Sequence, residues 1–189
     1  MKPSFPPAEA VERQAEPTPD NIRELVDAFY RRVRADALLG PIFGAALDGR
    51  WEEHMPKMTA FWSSLVLGAK QYRGNVQQAH APLPGIEPRH FSHWLYLFLD
   101  TVEGRYEPAA AVRFMEPALR IAQSLQLSRF GWDYQIPAEQ QALLDRVAPR
   151  LPREGDDERD AAAKRPRGEP FPAKIIGRPL DEPDTDDNV

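Results

Sequence analysis

Ile22, Leu25, Val26, Phe29, Tyr30 and Val33 recur at i, i+3, i+4, i+7, i+8 and i+11 within "TPDNIRELVDAFYRRVRADALLG". This is the period of one face of an α-helix, and it commits the segment to burying a stripe against other helices. No stretch of the chain alternates with period two, and no Asn-Gly or Asp-Gly turn joins two β-branched runs. The fold class expected is therefore all-α. Thr18 or Asp20 is placed to cap this first helix, and Gly40-Pro41 lies beyond its end.

The same period recurs downstream. "PIFGAAL" predicts a short helical turn that plants Ile42 and Phe43 inward. From Trp51 to Leu67, Trp51, Met55, Met58, Trp62 and Leu65 form one stripe, with His54 and Phe61 on its flank. Pro56 removes a backbone donor, so this helix is expected to begin or kink there, leaving His54 on an end free to swing. A short helix should end at His80 or Ala81, where two prolines turn the chain away. "EPRHFSHWLYLFLDTVEG" opens with Pro88 near the first helical position and buries Phe91, Trp94, Leu95, Phe98, Leu99 and Val102. In the last long helix Val112, Met115, Leu119, Ala122 and Leu125 face inward, and Pro117 predicts a kink.

Proline marks where folding should stop. Five of the first 19 residues are prolines, and seven more follow from Pro149 among "REGDDERDAAAKRPRGEP" and "DEPDTDDNV". Such segments bury too little apolar surface to offset the entropy of ordering them. The expected organisation is a disordered arm (1–17), a helical domain (18–130), a linker with a short helix (131–148, the helix at 138–148) and a disordered tail (149–189). The 189 residues contain no cysteine, which excludes disulfides and thiolate metal sites. No apolar run approaches the ~20 residues that span a bilayer, and no signal-peptide core follows Lys2, so a cytoplasmic location is expected. A net charge of −5 argues against nucleic acid as a partner.

The chain has four histidines. His90 and His93, at i and i+3, share a helix face, but zinc needs a third protein ligand that Glu87 is poorly placed to give. Solvated polar positions are expected for both. His54 and His80 are separated by the rest of one helix, a loop and a short helix pointing back. That geometry can hold two imidazoles on opposite sides of a flat object, among Phe29, Phe43, Met58, Phe61, Trp62, Trp94 and Phe98. An aromatic stripe is more often plain core. Two histidines facing one are costly to bury with nothing to bind, however, and haem satisfies both demands. There is no Gly-rich phosphate loop, G-x-S-x-G elbow or H-E-x-x-H.

The segments "AFYRRVRAD…LGPIF", "WEEHMPKMTAFWSSLVLG", "YRGN…AH" and "HFSHWLYLF" resemble the third group of truncated haemoglobins over residues 21–127. The resemblance implies a shortened globin fold, two helices over two around haem b. It implies His80 as the axial iron ligand, Tyr30, His54 and Trp94 as the polar distal groups, and Phe43 packed on the porphyrin. Lys57 would meet a haem propionate, while Met58, Phe61 and Trp62 line or back the pocket. Val76 stands where the family has a proline. The function implied is a monomeric haem protein binding oxygen, nitric oxide or carbon monoxide at ferrous iron. The alternative is an enzyme of nitric oxide dioxygenation or peroxidase-like chemistry, which would borrow electrons from a separate reductase. A haem-free helical interaction module using the tail is the third class.

Overall fold

The computed structural model describes residues 5, 11–80 and 83–147, and its elements are all helical, with no strand among the described residues. In chain order these are α1 (Pro19–Ala35), α2 (Gly40–Leu47), α3 (Trp51–Leu67), α4 (Val76–His80), α5 (Pro88–Glu103), α6 (Pro108–Phe130) and α7 (Ala138–Val147). The stripe on α1 is buried as its period dictates, and Thr18 is the cap. The Asn21 amide donates to its hydroxyl while its own amide donates to the Asn21 side chain. Helix α1 packs on α3 and α5 on α6, and the two pairs meet through α1 on α5 and α3 on α6. Between them lies an aromatic spine. Phe98 is stacked by Trp94 on one side and Trp62 on the other, at 5.3 and 4.7 Å between ring centroids, with Phe29 edge-on at 5.1 Å. Burial of such rings drives the fold, and their mutual geometry adds to it.

Several expectations are corrected. Helix α3 neither starts nor breaks at Pro56: it begins at Trp51, a turn before it. The carbonyl that Pro56 leaves unpaired belongs to Glu52, which is exposed and can bond water. Pro117 lies inside α6, the last long helix expected from the sequence. His90 and His93 are not solvated. His90 is only 8% exposed, and its Nδ1 accepts the Glu87 amide at 2.9 Å, closing the first turn of α5. His93 Nε2 bonds Asp36 at 2.7 Å.

Residues 11–17, expected to be disordered, are held largely through backbone hydrogen bonds and an ion pair, with Pro17 buried at their end. The Gln14 amide donates to the Arg105 carbonyl and its carbonyl accepts from Glu107, while Glu16 pairs with Arg113 at 2.9 Å. Further out, Phe5 lies edge-on to His93 and beneath the Arg32 guanidinium. The remainder of the arm and the tail expected at 149–189 lie outside the described residues, as does residue 148. The helix expected at 138–148 is present as α7, but it is no mere appendage of a linker. It packs on both α5 and α6, and Leu143 joins the core.

Asp36 ties the α1–α2 corner together. One carboxylate oxygen accepts the Leu38 and Leu39 amides at 2.9 and 2.8 Å, and the other accepts from His93 on α5. Burial alone would raise its pKa. The His93 hydrogen bond, the Leu39 and Leu38 amides and the His93 charge together outweigh that and hold it below the ordinary value of 3.8. A carboxylate with a lowered folded-state pKa stabilises the protein above its unfolded value, and the contribution is lost as pH falls through the lowered one. Asp36→Ala is therefore expected to cost about 1.5–3 kcal/mol near neutral pH, the range for a hydrogen bond to a charged group. In denaturant titrations the gap to wild type should close as pH drops below about 4. A gap that persists unchanged at pH ~2 would rule out this origin.

Candidate functional site

The helix pairs do not close on one another completely. Between α3, α4, α5 and the ends of α2 and α6 lies a cavity of about 440 Å³ with a mostly apolar lining. This is the size and character of small-molecule sites. Eight of the residues singled out in the sequence line it, whereas Phe29 and Phe98, expected around the same site, are buried in the core behind it. Tyr30 comes from α1, Phe43 from α2, His54, Lys57, Met58 and Phe61 from α3, His80 from α4 and Trp94 from α5. Trp62 serves two purposes, backing the cavity while stacking in the core.

The polar groups are set by their helices. His80 ends a helix of five residues, and its ring turns back so that Nδ1 lies 2.7 Å from the Val76 carbonyl. A carbonyl only accepts, so Nδ1 carries the proton and Nε2 keeps its lone pair. That tautomer is the one a metal requires, and the carbonyl contact is the outer-shell bond that orients a ligating imidazole. Val76, at the position where the resemblance leads one to expect proline, also supplies this carbonyl and lines the cavity. On the opposite helix, His54 stands edge-on to Tyr30 at 5.1 Å and to Trp51 at 6.2 Å. Its Nε2 is buried with no hydrogen-bond partner. Desolvation first, then the positive charges of His80, Lys57 and Arg50, bring its pKa down to about 4. At neutral pH it is uncharged. Burial also pushes the Tyr30 hydroxyl far above its ordinary range, so it stays protonated, a donor at all accessible pH.

Charge sits at the α2–α3 end of the cavity. Lys57 is exposed and pairs with Glu53 at 3.7 Å, while Arg50 donates to the Ala46 carbonyl. Among the described residues no cluster of three or more histidine and acidic groups could hold a metal ion. A metal here would need to arrive with most of its ligands. The residues fit a flat apolar group that would bring most of its own metal donors and need one imidazole, with the Lys57 and Arg50 charges at one end of the cavity.

Sequence reading missed Arg50, Glu53, Leu39, Ile86, His90 and Ile121, all of which line the cavity. Arg50 and Ile86 lie between helices, where no period signals orientation. His90 was assigned to solvent because its cap partner, the Glu87 backbone amide, has no side-chain signature.

Comparison with known proteins follows the same lines. Residues 18–122 match the model of the bacterial-like globin family. A group 3 truncated hemoglobin, ctb, from Campylobacter jejuni is 34% identical over 117 residues, covering 59% of this chain and 92% of that protein. The crystal structure of the group III truncated hemoglobin from Campylobacter jejuni superposes with a TM-score of 0.61 at 29% identity, covering 66% of this chain and all of that one. The helical order, the cavity and these likenesses agree, and the chain belongs to the bacterial-like globin family, with the group 3 truncated hemoglobins as its relatives.

Proposed function

We propose that the cavity binds haem b with His80 as the axial iron ligand, and that the chain binds oxygen, nitric oxide and carbon monoxide there. The observation that carries this reading is the His80 tautomer. A lining imidazole whose Nδ1–H is committed to a backbone carbonyl has its Nε2 lone pair available, in a cavity with few competing ligands. Haem, when bound, would supply a ferrous iron able to bond the His80 imidazole and a small diatomic ligand. The chain does the rest. Tyr30 and the Trp94 indole offer N–H and O–H donors to a ligand that becomes partly negative. The apolar walls of Phe43, Met58 and Phe61 exclude water from it. Lys57, with Arg50 beside it, balances carboxylates at the cavity rim.

The test is absorption spectroscopy of the purified protein after addition of equimolar haem. A haem-coordinated band that shifts when the reduced protein meets carbon monoxide is the expected result. A spectrum identical to free haem in buffer would remove the reading.

A further inference from the structure

Two glutamines with 0% exposure, Gln126 on α6 and Gln140 on α7, face each other behind the cavity. Their amides are joined reciprocally. Gln126 Nε2 donates to Gln140 Oε1 at 2.9 Å, and Gln140 Nε2 donates to Gln126 Oε1 at 3.2 Å. The second hydrogen of each amide is also used. Gln126 donates to the Ala122 carbonyl on its own helix, and Gln140 donates to the Ser92 hydroxyl on α5. Every donor on both side chains is satisfied without water, inside a largely apolar core. Buried polar networks of this kind are worth having only when complete, and complete ones fix geometry more than they add stability.

What they fix is the inner wall of the cavity. Ser92 lies between Phe91 and Trp94 on α5, and Ala122 and Leu125 precede Gln126 on α6; those four flanking residues line the cavity. The Gln140 side chain thus reaches from α7 to both helices, directly behind the wall they form. The match to the family model ends at residue 122, before either glutamine. We propose that Gln140 is a positioning residue, setting the spacing of α5 and α6 and so the fit of the cavity around what it binds. The inference rests on the haem reading above for its ligand, though not for its geometry.

The test uses the full chain and three variants. Gln126→Leu/Gln140→Leu replaces both partners with apolar groups of similar size, a change that can be nearly neutral for stability. Gln140→Leu alone strands the Gln126 amide. Ser92→Ala removes only the α5 end of the bridge and keeps the variant series informative if a glutamine variant does not fold. Two readouts are taken: haem transfer from the ferric protein to a haem-free acceptor globin, and amide hydrogen exchange over residues 91–98 and 118–126 of the haem-free chain. The double variant should melt near the wild-type temperature yet release haem about tenfold faster, the factor that ~1.4 kcal/mol gives. Exchange in both segments should rise, with Ser92→Ala smaller in the same direction. Wild-type exchange in those segments, or wild-type haem release, in variants that fold overturns the proposal. Should the wild-type chain take up no haem, the haem reading fails, and the exchange data on the haem-free chain still decide the role of Gln140.

Discussion

His80→Ala is expected to lose the haem-coordinated absorption band of the wild-type protein, and added imidazole should restore it. Two other imidazoles line the cavity, and neither can take over. His90 has its Nδ1 committed as an acceptor from the Glu87 amide, so its Nε2 bears the proton and has no lone pair to give. The His54 Nε2 is packed away among aromatic rings without access to a partner. An axial bond lost from α4 is therefore not remade elsewhere. The measurement is haem titration followed at visible wavelengths, with and without imidazole. Wild-type affinity together with an unchanged ferrous spectrum would show that His80 is not the ligand. His90→Ala and His93→Ala should keep the wild-type spectrum. Each should lose stability, since His90 caps α5 and His93 anchors Asp36.

Among the distal groups, Tyr30→Phe should give the largest increase in oxygen off-rate, roughly 10- to 150-fold, corresponding to the ~1.5–3 kcal/mol of a hydrogen bond to a partly charged acceptor. Tyr30 is the buried, permanently protonated donor of the lining, and its ring is held in place by edge contacts to Phe29, Phe43 and Trp51. Trp94→Phe should follow, because the indole offers a single donor and its ring is stacked on Phe98. His54→Leu should have the smallest effect. The reason is not a freely swinging helix end, since α3 is already formed at Trp51; it is that the His54 Nε2 is occupied by packing. Carbon monoxide, less polarised, should respond less to all three. Stopped-flow dissociation of both gases from the single variants is the measurement. If every oxygen off-rate stays within about twofold of wild type, these residues are core and hold no ligand.

The parts of this molecule legible in the sequence are those with a period or a resemblance to carry them. The α1 stripe announces its helix because six apolar residues must share one face. The lining residues from Tyr30 to Trp94 could be named because the quoted segments carry them in a familiar order. What was not legible is contact between polar groups far apart in the chain. Asp36 and His93 are 57 residues apart, and no local pattern at either marks the other. The arm at Gln14 is held through its backbone amide and carbonyl, which every non-proline residue possesses, so composition made it look disordered. Helix α7 is short, and the Gln126–Gln140–Ser92 bridge that helps dock it looks, in sequence, like ordinary surface polarity.

The brevity of α4 has a thermodynamic consequence for whatever His80 binds. Five residues cannot hold a helix in water, because the cost of nucleation is never recovered over so few bonds. Its order is borrowed from Asn75, whose side chain accepts the Gln78 amide, and from Ser124 on α6, which accepts from Gln77. Only molecules in which that segment is formed present the His80 Nε2 to the cavity as the proposed ligand. Measured affinity is then the intrinsic affinity scaled down by the formed fraction. Evolution can tune such a site from a distance: a substitution that stiffens residues 75–80 tightens binding, and one that loosens them speeds release, without any change in the cavity lining.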